Sequence, residues 1–263
     1  MQTPANQDHR TSTSRIAAVD IARGGALVAM TIYHFSWDLS FFGWVARDLI
    51  SHPLWVSFAR AIAASFLFIV GFSLVLGHGE GVRWPSFWKR WVAIAGCAAL
   101  ITVATYFAIP DTYIFFGILH AIALFSIIGV LLMRLPGWVH FLLALTILAG
   151  AHFLKSEFFD LPALYWLGLM ETIPDSNDLV PVFPWLAATL LGIAAAKFLN
   201  SDGYAKLRNM GNSGSRSDRT LGLIGRHSLL FYMLHQPVLI ALVGAFTTLS
   251  GGPDRTGEFL SGC

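Results

Sequence analysis

DIARGGALVAMTIYHFSWDLSFFGW, residues 20–44, decides how the rest of the chain is read, because it is apolar enough for a membrane yet carries four ionisable groups. At about 100° per helical residue, Asp20, Arg23, His34 and Asp38 fall within an arc of roughly 60°. The rise from Asp20 to Asp38 is about 27 Å, close to the ~30 Å of a bilayer's hydrocarbon core. A polar stripe of that length faces other helices or water rather than lipid, and it marks a functional path.

Composition agrees with a membrane setting. The 263 residues are 56% apolar and 12% charged, where soluble domains carry about 25% charged residues. Apolar runs of spanning length predict about seven helices in one bundle, near 21–43, 54–77, 91–109, 112–133, 136–154, 183–199 and 227–249. The expected fold is an all-α polytopic membrane protein. A polar cytoplasmic tail over 1–15 precedes a transmembrane domain over 16–250 and a C-terminal tail over 251–263. The first fifteen residues have no apolar h-region, so the first span does not read as a cleaved signal peptide.

Loop charge gives an orientation. A cytoplasmic N-terminus puts Arg10, Arg15, Arg23, Arg83, Lys89, Arg90, Arg134, Lys197, Lys206, Arg208, Arg216, Arg219 and Arg226 inside, and leaves Arg47, Arg60, Lys155 and Arg255 on the other side. The net charge of +2 reflects this asymmetry and not a surface for nucleic acid. Residues 154–182 are too interrupted to cross and read as an outer lid. Residues 200–219, rich in Gly, Ser and basic groups, read as a flexible inner linker. Cys97 and Cys263 make neither a disulfide framework nor a metal site.

The remaining candidates are histidines and arginines. Asp38 lies four residues beyond His34 on the same face, so it is expected to orient the ring for general-base chemistry, although such a pair also suits a proton relay in a transporter. Arg60 either snorkels or pairs with Asp38. His120, near the outer end of the fourth span, and His235, beside Gln236 and Pro237, are candidate donors to an oxyanion or substrate. Haem ligation is disfavoured, because the two histidines on each of spans five and seven point apart. A serine nucleophile is disfavoured too, since Gly71-Phe72-Ser73 lacks the further glycine of an elbow.

Five blocks carry a resemblance: RIAAVDIARGGALVAMTIYHFSWDL from residue 15, FLFIVGFSL from 66, FFGILHAIAL from 115, PVFPWLAATLLGI from 181 and IGRHSLLFYMLHQP from 224. In this order they resemble the bacterial branch of the heparan-α-glucosaminide N-acetyltransferase catalytic-domain family. The Arg23-x10-His34 spacing also resembles the first-helix motif of the acyltransferase-3 membrane acyltransferases. The resemblance implies an inner (plasma) membrane enzyme with no permanently bound cofactor, taking an acyl group, in the first place acetyl, from cytoplasmic acyl-CoA. The acceptor would be a hydroxyl or amine, plausibly on a carbohydrate, reached from the outer side. In that resemblance His34 matches the motif's catalytic histidine and Arg23 its arginine. For such an enzyme His34 is expected to be the catalytic base or a transient acyl carrier, and Arg23, Arg90 and Arg226, all at cytoplasmic helix ends and suited to phosphate, are expected to hold CoA phosphates. Where the lysosomal enzyme has a further catalytic histidine shortly after the first span, this chain has Arg47 and Asp48, with His52 nearest. Membrane lipid is the other expected partner, homo-oligomerisation is left open, and the alternative function is a small-molecule or proton-coupled transporter.

Overall fold

The computed structural model describes residues 16–46, 48–210 and 215–252. The expected N-terminal tail with Arg10 and Arg15, and also Arg47, Arg255 and Cys263, lie outside the described residues. Ten α-helices follow in order: α1 (Ala17–Phe41), the short α2 (Asp48–Ser51), α3 (Pro53–His78), α4 (Trp84–Ala108), α5 (Ile118–Leu131), α6 (Gly137–Phe153), α7 (Val182–Phe198), α8 (Ser201–Met210), α9 (Arg216–Arg226) and α10 (Ser228–Leu249). Among the described residues there is no strand, only one isolated bridge between Phe116 and Leu179.

The all-α membrane fold is thus observed. By length and composition α3, α4 and α10 qualify as spans, and α7 with α8 would make a fourth although the pair is bent by 110°. The seven expected segments each contain a helix, but α5 and α6 are shorter apolar helices, and α1, at 25 residues, carries the polar stripe. The fourth expected segment is trimmed most. Residues 112–117 are not part of α5, because Pro110 opens a tight 3-10 turn and the next residues pair with residues 177–180. Asn177 N–H donates to Thr112 O at 3.0 Å, and Val180 N–H to Phe116 O at 3.0 Å.

Sequence explains where α1 stops. Gly43 takes φ +81°, a conformation that costs glycine little. That turn lets Trp44 N–H reach back to Leu39 O at 2.8 Å, satisfying a carbonyl at the helix end. Trp44 Nε1 then donates to Thr247 at 2.8 Å and ties this end of α1 to α10.

Small residues fix the helix contacts. A Cβ on Gly71 would collide with the Thr189 carbonyl, and one on Gly192 with the Phe68 carbonyl, so α3 and α7 meet backbone to backbone. Leu67, Phe125, Leu190 and Leu27 fill the centre of the bundle. The same device joins α9 to α1, where Gly24 faces the Leu221 carbonyl and Gly225 the Asp20 carbonyl.

That contact corrects one expectation. Residues 201–210 and 216–219 of the expected linker are helical, the latter as the first turn of α9, and 211–214 lie outside the described residues. Ser215 caps α9 by accepting from Asp218 N–H at 3.0 Å, and the glycine face of α9 gives it a docking surface that composition alone conceals. Residues 154–182, expected to be an outer lid, pack against the start of α5. Asp160 accepts from Glu171 and Thr172 N–H groups, and Asp178 Oδ2 accepts from Ile118 N–H at 2.8 Å, at the N-terminus of α5. Burial pushes the Asp178 carboxyl up to about 6, against the Ile118 N–H that favours its charged form.

Candidate functional site

The polar stripe of α1 is covered by α10 and α9. Four residues of α1 separate His34 from Asp38, and α10 presents His235 and Gln236 in succession, so two polar pairs stack one helical turn apart. His34 Nδ1 lies 2.7 Å from His235 Nε2, with ring centroids 4.9 Å apart. Gln236 Nε2 donates to Asp38 Oδ1 at 2.8 Å.

Hydrogen-bond accounting fixes the tautomers. His235 Nδ1 lies 2.6 Å from the Tyr232 carbonyl, which can only accept, so Nδ1 carries the hydrogen. In neutral His235 the other nitrogen, Nε2, is then an acceptor. His34 Nδ1 must donate to it, which leaves the lone pair of neutral His34 on Nε2. His34 is half-buried, whereas His235 is 8% exposed and stacks on Phe231 at an interplanar angle of 5°. The more buried ring, held by Tyr232 and Phe231, therefore orients the more accessible one.

Three expected roles change on this geometry. Asp38 is not the hydrogen-bond partner of His34, because α10 inserts His235 at that ring and Gln236 at the carboxylate. His235 has no N–H to spare for an oxyanion, its one hydrogen being directed at Tyr232. His120 is spent as well. Its Nδ1 accepts from Gly117 N–H at 3.2 Å, and its Nε2 lies 3.2 Å from Thr102 Oγ1, whose own hydrogen goes to Ile114 O at 2.7 Å. His120 therefore pins the start of α5 to α4.

Two further candidates are placed by the fold. Arg60 is exposed on α3. His52 caps α3 by accepting from Leu54 N–H at 3.3 Å, so its ring serves the helix end.

The three arginines expected at one end of the bundle do gather there. Arg23 donates to Asp20 Oδ1 at 3.1 Å and to Ser73 Oγ at 2.9 Å, while Arg226 Nε lies 3.9 Å from Asp20 Oδ2. Arg90 of α4 lies near Arg23, and His78 at the end of α3 accepts at Nδ1 from Arg83 N–H at 3.2 Å. Arg226 and Arg90 remain exposed. A cationic cluster thus sits at one end of α1, and the buried Leu27 and Met30 lie along the helix between it and His34. Sequence reasoning missed Ser73 and Asp20 as the groups that fix Arg23, and Gln236 as the partner of Asp38.

A family model described as heparan-alpha-glucosaminide N-acetyltransferase, catalytic, matches residues 15–237 of this chain. No curated protein and no solved structure matches it.

Proposed function

The chain belongs to the heparan-alpha-glucosaminide N-acetyltransferase catalytic family, and from that membership we propose that it is a seven-span inner-membrane enzyme moving acetyl from cytoplasmic acetyl-CoA to an outer hydroxyl or amine. Membrane acetyltransferase-like function is what the family itself supports. The observation that carries the finer reading is the His34–His235 contact, because it leaves an unshared lone pair on His34 Nε2 at the centre of the polar stripe.

In this mechanism CoA phosphates bind Arg23, Arg90 and Arg226, whose planar guanidinium groups suit phosphate oxygens. The rise from Arg23 to His34 is about 16 Å, roughly half the hydrocarbon thickness, a distance for the extended pantetheine arm to cover. His34 Nε2 takes the proton of the acceptor as its oxygen or nitrogen attacks the thioester carbonyl. The carbon–sulfur bond then breaks, and His34 returns that proton to the departing thiolate of CoA. His235 accepts the Nδ1 hydrogen throughout and stabilises the imidazolium formed between the two proton transfers, as the carboxylate does in a catalytic triad. A carbohydrate of the cell envelope is the proposed acceptor.

The donor site is tested by binding. A charge-assisted hydrogen bond contributes about 1.5–3 kcal/mol, so Arg226→Gln and Arg23→Gln should each weaken acetyl-CoA binding by about ten- to a hundred-fold at low ionic strength. Titration calorimetry on detergent-purified protein reads this directly. Wild-type affinity in both variants would remove the phosphate assignment.

A further inference from the structure

Asp38 is 0% exposed, yet it is only half accounted for. Its Oδ1 accepts from Gln236, while its Oδ2 is buried with no hydrogen-bond partner among the described residues. Gln236 Oε1 is in the same position, buried and unpartnered. These two oxygens are the remaining polar atoms of the two planar groups that the Nε2–Oδ1 bond holds together. Both are acceptors if Asp38 is ionised. Leaving them so would carry the desolvation penalty of an unpaired amide oxygen and the larger penalty of an unpaired carboxylate taken out of water. The nearest rings offer no relief, since the Nδ1 hydrogens of His34 and His235 are directed at His235 Nε2 and the Tyr232 carbonyl.

One hydrogen satisfies both oxygens. We propose that Asp38 and Gln236 form a neutral acid–amide pair closed by two hydrogen bonds, Gln236 Nε2–H to Asp38 Oδ1 and Asp38 Oδ2–H to Gln236 Oε1, which clamps α10 on α1. The clamp lies one turn from His34 on α1 and next to His235 on α10, so it sets the register at which the two rings meet at 2.7 Å. Asp38 is a positioning residue that acts through this pair. Its catalytic consequence rests on the acetyl-transfer function proposed above, whereas the proton and the clamp do not.

Asparagine and leucine at this position separate the pair from an ionised aspartate. In Asp38→Asn the new amide can make both bonds to Gln236 without a charge. In Asp38→Leu both Gln236 groups lose their partner. The infrared difference spectrum of wild type minus Asp38→Asn at neutral pH should contain a protonated-carboxyl C=O band that shifts in deuterium oxide. In the acetyl-transfer assay Asp38→Leu should lower kcat on the order of 10²-fold, the scale of a misplaced catalytic group, with the KM for acetyl-CoA unchanged. Asp38→Asn should recover most of that loss. Carboxylate bands alone in the wild type would overturn the proposal, and so would an Asp38→Asn variant as slow as Asp38→Leu. If the wild type transfers no acetyl group, the functional reading fails while the infrared band still decides the proton and the clamp.

Discussion

His34→Ala should lose acetyl transfer by about 10²–10⁴-fold, the usual contribution of a positioned general base, while it keeps its fold and its affinity for acetyl-CoA. The separation of the two effects follows from distance along α1. Arg23 sits about 16 Å from His34, so deleting the ring leaves the phosphate contacts untouched. The Leu27 and Met30 side chains that anchor α1 in the core are likewise unaffected. Turnover, binding and thermal unfolding measured on one preparation check all three. Near-normal turnover would mean that the unshared Nε2 lone pair does no chemistry.

The second large effect belongs to His235. In His235→Leu the Nδ1 hydrogen of His34 loses its acceptor, so nothing selects the tautomer that leaves Nε2 free. Loss of the orienting group in a catalytic triad costs about 10⁴ in kcat, and a comparable fall, between about 10² and 10⁴, is expected here. His235→Gln should restore part of it, because a glutamine carbonyl can accept where Nε2 did. If Leu and Gln are equally slow, His235 contributes more than an acceptor. If both are as fast as wild type, the 2.7 Å contact is packing alone.

Much of this site was legible in the residues. Periodicity places Asp20, Arg23, His34 and Asp38 on one face of α1, because a single helix with known spacing needs no tertiary information. The gathering of Arg23, Arg90 and Arg226 was legible from loop charge, which orders helix ends by side of the membrane. Pairing across helices was not. Asp38 four residues after His34 looks like its partner until α10 brings His235 to the ring and Gln236 to the carboxylate, and no spacing along one chain segment encodes that register. His120 was misjudged for a related reason. A histidine in an apolar run looks available, but Thr102 and the Gly117 N–H occupy both nitrogens through contacts set by the fold.

Residues 200–219 show the opposite failure. Glycine and serine there suggest a flexible linker, yet 201–210 form α8 and 216–219 open α9, whose Gly222 and Gly225, just beyond the linker, lie three residues apart on one helical face. Gly225 meets the Asp20 carbonyl, and Gly24 of α1 meets the Leu221 carbonyl. In a membrane-associated bundle, small residues lower the distance at which backbones pack, so the helix that begins inside the linker is docked by glycines that follow it.

The most direct test of the account is catalytic. Purified protein in detergent, incubated with acetyl-CoA labelled in the acetyl carbonyl, should release free CoA and pass label to a component of cell-envelope extract. The wild type should do so in an extract-dependent manner, and the His34→Ala protein should not. Equal CoA release by both proteins, or no release from the wild type with extract present, would contradict acetyl transfer at the His34–His235 pair.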